Sequence, residues 1–125
     1  MELRFEKFHG AGNDFIFLDI KHMNEAFFTK DFIARACERR MGIGADGLIM
    51  VKPIKKNMIE MHYFNADGGK ASFCGNGARC AVRYAQLKNW VERQGILLFD
   101  QERRSFNILD ECIEIEFPIH DSPNE

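Results

Sequence analysis

The segment Ala78–Trp90 limits the possible folds more than any other stretch of this chain. It reads as a helix lined with small residues, Ala78, Cys80, Ala81 and Ala85. Small side chains let neighbouring backbone approach closely, so such a helix suits tight enclosure by a sheet, with its N-terminus held rigidly. The rest of the chain supplies the strands. Residues 3–8 alternate, with Leu3 and Phe5 on one face, and read as a strand. The apolar run Phe15–Ile20 suits a strand buried on both faces. A strand from Leu48 must end near Pro53, and Lys55-Lys56-Asn57 reads as a hairpin turn. In the returning strand Ile59, Met61 and Tyr63 alternate with Glu60, His62 and Phe64. Ile96–Phe99, Ser105–Leu109 and Ile113–Phe117 read as a meander of short strands.

A second helix is expected from Thr29, a capping residue, to about Arg39. Asp31 falls in its first turn, and Phe32, Ile33, Ala36 and Cys37 form an apolar stripe. The fold class is therefore α+β, a curled and largely antiparallel sheet around a central helix. A chain of 125 residues is enough for one such domain with a core. Its expected bounds are 1–117, with the polar, turn-rich 118–125 as a linker or chain end.

Charge and cysteine usage narrow the functional classes. The net charge is -2 with both signs interspersed, which argues against nucleic acid or a membrane surface as the main partner. No apolar run reaches membrane length, and the N-terminus MELRFEKFHG has no signal-peptide core, so a cytoplasmic protein is expected. Cys37, Cys74, Cys80 and Cys112 lack the paired spacing of a zinc site and read as reduced thiols, with no metal expected. Cys37 belongs to the apolar stripe of its helix, and Cys112 sits at a strand edge.

Two glycine-rich segments differ in meaning. Gly42-Ile43-Gly44-Ala45-Asp46-Gly47 spells GxGxxG, but a dinucleotide fingerprint needs a strand before it and a helix after it. Here the order is reversed, so a turn with positive φ angles is the expectation. NADGGKASFCGNGARC, Asn65–Cys80, places Cys74 just before a Gly75-Asn76-Gly77 turn that feeds a helix. Free N–H groups at a helix start can bind an anion such as a carboxylate, and the same positive end favours a thiolate. Glycines at 75 and 77 leave room for a ligand to approach the backbone. A buried cysteine beside an ordinary helix cap is the competing reading.

Three separated motifs resemble the diaminopimelate epimerase family in its order and at similar spacing. They are HGAGNDF at 9–15, GIGADGLI at 42–49, and NADG with CGNGARC within 65–80. The resemblance is close over 3–90 and loose beyond. It implies a cofactor-independent epimerase, without pyridoxal phosphate, that interconverts LL- and meso-diaminopimelate in lysine and peptidoglycan precursor synthesis. Two cysteines flank the α-carbon in that family, a thiolate removing the proton from one face and a thiol returning one to the other. Cys74 matches one member of the pair, and Asn13, Asn65, Gly75 and Asn76 match positions that hold the substrate. A thiol has an ordinary pKa of about 8.5, near enough to neutrality to act as acid or base. Asparagine supplies donor and acceptor without charge, which suits a zwitterion.

The family is about twice this length, with its site in a cleft between two similar halves. The other cysteine and a Glu-Arg pair belong to the second half, so this chain is expected to supply one side of a site. The expected partners are diaminopimelate and either a second epimerase half or a second copy of the chain. Cys80 cannot stand in for the missing thiol: six residues along a helix is a rise of about 9 Å, on a different side. A non-catalytic remnant or binding module, or an epimerase of another amino acid, remain open as alternatives.

The other polar residues have bland expectations. His9 is assigned a structural hydrogen bond, and Asp14 and Asp46 turn-stabilising bonds within their own glycine turns. Arg79 and Arg83, four apart, belong on a solvent or interface side of the helix. Two departures from the family, Gly69 in place of a frequent serine and Gln101–Arg104 in place of a glycine hairpin, fall outside the predicted site.

Overall fold

A computed structural model describes residues 4–116. The boundary expected at 117, the tail 118–125 and Leu3 lie outside them. Among the described residues, seven strands form one sheet in chain order: β1 (Phe5–Gly10), β2 (Asn13–Asp19), β3 (Gly47–Lys55), β4 (Met58–Asn65), β5 (Gln94–Phe99), β6 (Glu102–Ile108) and β7 (Ile113–Ile115). Helix α1 (Lys30–Cys37) lies between β2 and β3, and α2 (Gly75–Leu87) between β4 and β5. A 3-10 turn occupies Glu25–Phe27.

The sheet is mixed. Hairpins join β1–β2, β3–β4, β5–β6 and β6–β7, whereas β2–β3 and β4–β5 are parallel. Each parallel pair requires a crossover, and the two helices provide it. Phe15 and Phe17 of β2 face the core around α2, whereas Ile16 and Leu18 face the core around α1. The helices therefore cover opposite faces. The second crossover leaves a strand running the other way, so opposite faces are what a shared crossover hand demands. Double coverage also explains why Phe15, Ile16, Phe17 and Leu18 are all buried.

α2 packs on both end strands, β1 and β7, as well as on β2, β3 and β4. The sheet thus curls around it. Tyr84 anchors the contact, its ring stacked 5.0 Å from Phe17 and edge-on to Phe8 at 5.7 Å and Trp90 at 6.0 Å. Ala78, Ala81 and Ala85 are fully buried, as a closely enclosed helix requires. No helix among the described residues is long and apolar enough to cross a membrane.

Several boundaries differ from the sequence reading, each for a local reason. α2 starts at Gly75, not Ala78, because Cys74 is extended (φ -132, ψ 122) and the glycines form the first turn. Glycine is a poor helix former, yet its N–H in a first turn would lack an intrahelical partner in any case. α2 stops at Leu87, not Trp90, because Asn89 adopts φ 64 and the N–H groups of Asn89 and Trp90 donate to Gln86 and Ala85. This is the paired-bond helix ending usually built on glycine. α1 is capped by the Thr29 hydroxyl, which accepts from Phe32 N at 3.0 Å, but ends at Cys37 rather than Arg39. β3 continues through Pro53 to Lys55, because an irregularity in pairing there accommodates the missing N–H.

The β5–β6 hairpin turns on Asp100 and Gln101, at φ 51 and 66. Two left-handed residues match strand twist but favour Asn-Gly. Gln101→Gly is accordingly expected to stabilise the chain by about 1 kcal/mol, read as a higher urea midpoint at unchanged slope.

Candidate active site

The register places three strand ends side by side. Phe15 pairs with Gly47, and Gly47 with Asn65, so the start of β2, the start of β3 and the end of β4 share one end of the sheet. Ala71 N donates to Tyr63 O at 3.0 Å, which runs the following loop back along β4 toward α2. Gly77 then lets the helix start approach the sheet: a Cβ there would lie 3.2 Å from Ile49 Cδ1 and 3.7 Å from Phe15. The approach to Cys74 is fixed by Phe73, whose ring packs edge-on to Phe99 at 5.4 Å and lies under the Arg104 guanidinium at 3.8 Å. Arg104, in the segment expected to lie apart from the site, thus supports the residue next to it.

Cys74 is half-buried, is a free thiol, and occupies the cap position of α2 without a side-chain capping bond. Among the described residues, the N–H groups of Gly75, Asn76 and Gly77 donate to no protein acceptor. They are the unsatisfied donors of a helix start, with the positive end of the helix dipole behind them. Asn76 Nδ2 donates to Asn13 Oδ1 at 3.4 Å, which ties the helix start to β2. Of the five residues singled out from sequence, Asn13, Cys74, Gly75 and Asn76 are therefore brought together. Asn65 reaches the same end of the sheet through β4 and is exposed, with no side-chain bond to the other four among the described residues.

Tyr63, which carried no signal beyond strand alternation, lies within electrostatic reach of Cys74 and Asp46. Burial raises its phenol pKa, and those two groups add to the effect. Its ring packs edge-on against Phe15 at 5.8 Å, and a Cβ at Gly47 would come within 2.8 Å of it. Gly47 is needed for that close approach.

The largest feature missed from sequence is a charge clamp behind Asn13. Asp14, 8% exposed, accepts from both guanidinium nitrogens of Arg39 at 2.9 and 3.1 Å and pairs with Lys7 at 3.0 Å. Asp14 N donates to Asp46 Oδ2 at 3.1 Å, and Asp46 N donates to Asp14 Oδ1 at 2.9 Å. These bonds join two glycine turns 32 residues apart, where bonds within each turn were expected. The Arg39 hydrogen bonds, against the opposing effect of burial, hold the Asp14 carboxyl well below the usual carboxylate range. Asp46 also accepts from Asn13 Nδ2 at 3.3 Å and Arg39 at 3.1 Å.

His9 departs from expectation: it is exposed, and its side chain makes no hydrogen bond among the described residues. A position next to the end of an edge strand leaves it facing solvent. Cys80 is buried with its thiol against Gly10, where a Cβ would come within 2.7 Å, and burial raises its pKa. Cys37 is likewise buried, with a raised pKa from the same cause. Cys112 is exposed between β6 and β7. Arg79 is exposed, and Arg83 is half-buried and bonded to Gln86.

Residues 42–47 follow a helix and precede a strand. Their amides fold back on α1: Gly42 donates to Glu38, Ile43 and Gly44 to Ala36, and Ala45 to Cys37. A Cβ at Gly42 would stand 2.0 Å from Arg35 O, so close backbone approach requires that glycine.

Of two surface depressions, one lies at the far end of α2 and the other beside its start. The larger, about 570 Å³, is lined by Arg4, Glu6, Asp19 and Lys88 and holds none of the five residues. The other, about 330 Å³, borders the helix start through Asn76 and Arg79. Cys74 lines neither.

Comparison with known proteins bears on this arrangement. The family model described as diaminopimelate epimerase matches residues 5–111. The phenazine biosynthesis protein of the PhzF family from Enterococcus faecalis superposes with a TM-score of 0.66 at 8% identity, covering 89% of this chain. Its counterpart from Bacillus anthracis gives 0.56 at 16% identity over 84%. These two establish a shared fold. The chain spans 42% and 34% of their respective lengths.

Proposed function

The chain belongs to the diaminopimelate epimerase family, and on that premise we propose that it supplies one side of a cofactor-independent epimerase site acting on diaminopimelate. The observation that carries the reading is Cys74 at the start of α2, beside three undonated N–H groups and the bonded pair Asn13–Asn76. An α-proton is weakly acidic, so its removal needs a base and preorganised donors for the charge that develops. In the proposed reaction the Cys74 sulfur, as thiolate, takes the α-proton and becomes a thiol. The electron pair stays on the α-carbon, delocalised toward the carboxylate. A thiol from a second half returns a proton to the opposite face and is left as thiolate. The reverse direction exchanges the two roles.

The amides of Gly75 and Asn76 fit the α-carboxylate, and Asn13, Asn65 and Asn76 fit the remaining polar groups. Cys80 does not fit the role of second thiol, because it packs in the core with a raised pKa. The second thiol then comes from another half or another copy, meeting this one at the exposed end of the sheet.

The test is loss of the α-proton signal of LL-diaminopimelate in D₂O. As a monomer the reduced chain is expected to form no meso isomer, whereas the chain mixed with the C-terminal half of a homologue is expected to form it with loss of the α-proton signal. Formation of the meso isomer by the monomeric chain would overturn the single-sided site. A folded, associated mixture that exchanges nothing would overturn the activity itself.

A further inference from the structure

Asn13 and Asn76 sit in the middle of a chain of four side chains whose two ends have opposite chemistry. Asp46 accepts from Asn13 Nδ2, Asn13 Oδ1 accepts from Asn76 Nδ2, and Asn76 Oδ1 accepts from Arg79 Nη2 at 2.5 Å. An ionised carboxylate only accepts and a guanidinium only donates. An asparagine amide has nearly the same shape either way round, and a flip exchanges its donor with its acceptor. Here a flip of Asn13 would set oxygen against the Asp46 carboxylate, and a flip of Asn76 would set NH₂ against the guanidinium. Only one orientation of the pair satisfies both ends.

We propose that Asp46 and Arg79 are positioning residues that lock the amides of Asn13 and Asn76 in that orientation. Each amide keeps one N–H and one lone pair outside the relay, in fixed directions, for the substrate. This inference rests on the epimerase reading of the site. Two further observations support it. Asp46 is itself held by Arg39 and Asp14 N, so the accepting end does not wander. Arg79 is exposed, pairs with no carboxylate among the described residues, and lies over Gly75, with Nη1 3.2 Å from the place of a Cβ. A cation beside a helix N-terminus gains nothing from the dipole, so folding alone does not account for its place.

The test uses the side-chain amide signals of Asn13 and Asn76 in ¹⁵N-labelled chain complemented with the unlabelled C-terminal half of a homologue, with and without LL-diaminopimelate. Arg79→Ala is expected to move both pairs of signals and weaken binding about tenfold, the worth of one good hydrogen bond. Arg79→Lys, which keeps a donor, is expected to restore most of both. Asp46→Asn is expected to disturb Asn13 first. Unmoved signals in Arg79→Ala would overturn the relay. Moved signals with unaltered affinity would overturn its role toward substrate. A wild-type chain that binds no diaminopimelate when complemented with the C-terminal half of a homologue would overturn the epimerase reading and the substrate part with it, while the amide signals still decide the relay.

Discussion

Cys74→Ser is expected to cut α-proton exchange by the complemented enzyme about 10²- to 10⁴-fold, the usual contribution of a positioned acid or base. A serine hydroxyl is far too weak an acid to be held as an anion at neutral pH, whereas a thiol is not. The same change is expected to raise stability. Cys74 occupies the cap of α2 with no side-chain capping bond, and serine is among the preferred capping residues. A hydroxyl there can accept from the N–H of Asn76 or Gly77, for a gain of about 0.5–1 kcal/mol in urea unfolding. Opposite signs separate chemistry from folding. A serine variant that keeps its exchange rate would remove Cys74 from the mechanism, and one that unfolds would show that the thiol is structural.

The second large effect concerns stability. Asp14→Ala is expected to cost about 3 kcal/mol, because it removes two charge-assisted bonds from Arg39, the Lys7 pair and an acceptor for Asp46 N. Values at the top of the range for a broken ion pair are not expected, since the Arg39 side chain is 56% and that of Lys7 33% exposed and both can rehydrate. The sign of the pH dependence follows from the carboxyl's lowered pKa, for which Arg39 is the main cause. A depressed folded-state value contributes stability that is fully present above the ordinary value of 3.8 and is lost as pH falls toward the folded one. Wild-type chain should therefore weaken on acidification below about pH 4. Asp14→Asn should weaken less steeply. Urea midpoints at pH 7 and pH 3 for both chains measure the difference, and parallel slopes would show that the clamp does not stabilise the fold.

The two effects meet at Asn13. The clamp holds Asp46, Asp46 holds Asn13, and Asn13 holds the start of α2. A loss of stability at Asp14 is thus also expected to loosen the group proposed to face the substrate.

Much of this chain was legible because the signals were local. The apolar run Phe15–Ile20 suited a strand covered on both faces, and Phe15–Leu18 are all buried. The Thr29 cap depends on a residue three positions away, and Cys74 stands next to its helix in the sequence. Alternation in Ile59 and Met61 named their buried face. The central helix, rich in alanine, announced a tight enclosure.

Tertiary structure decided what local chemistry left open. Alternation is the same for parallel and antiparallel neighbours, so the two parallel joins appear only once α1 and α2 take opposite faces. The last turn of α2 went to Asn89 because a left-handed residue there completes two backbone bonds, which side-chain periodicity does not record. The site shows the same division. Residue types and spacing pointed to Cys74, Gly75 and Asn76, which are consecutive. The Asp14–Arg39–Asp46 clamp and the Asn13–Asn76 bond join residues 7 to 63 positions apart. Propensity reaches about one helical turn along the chain. Beyond that distance, which carboxylate meets which guanidinium depends on how the curled sheet brings its strand ends to the start of the helix.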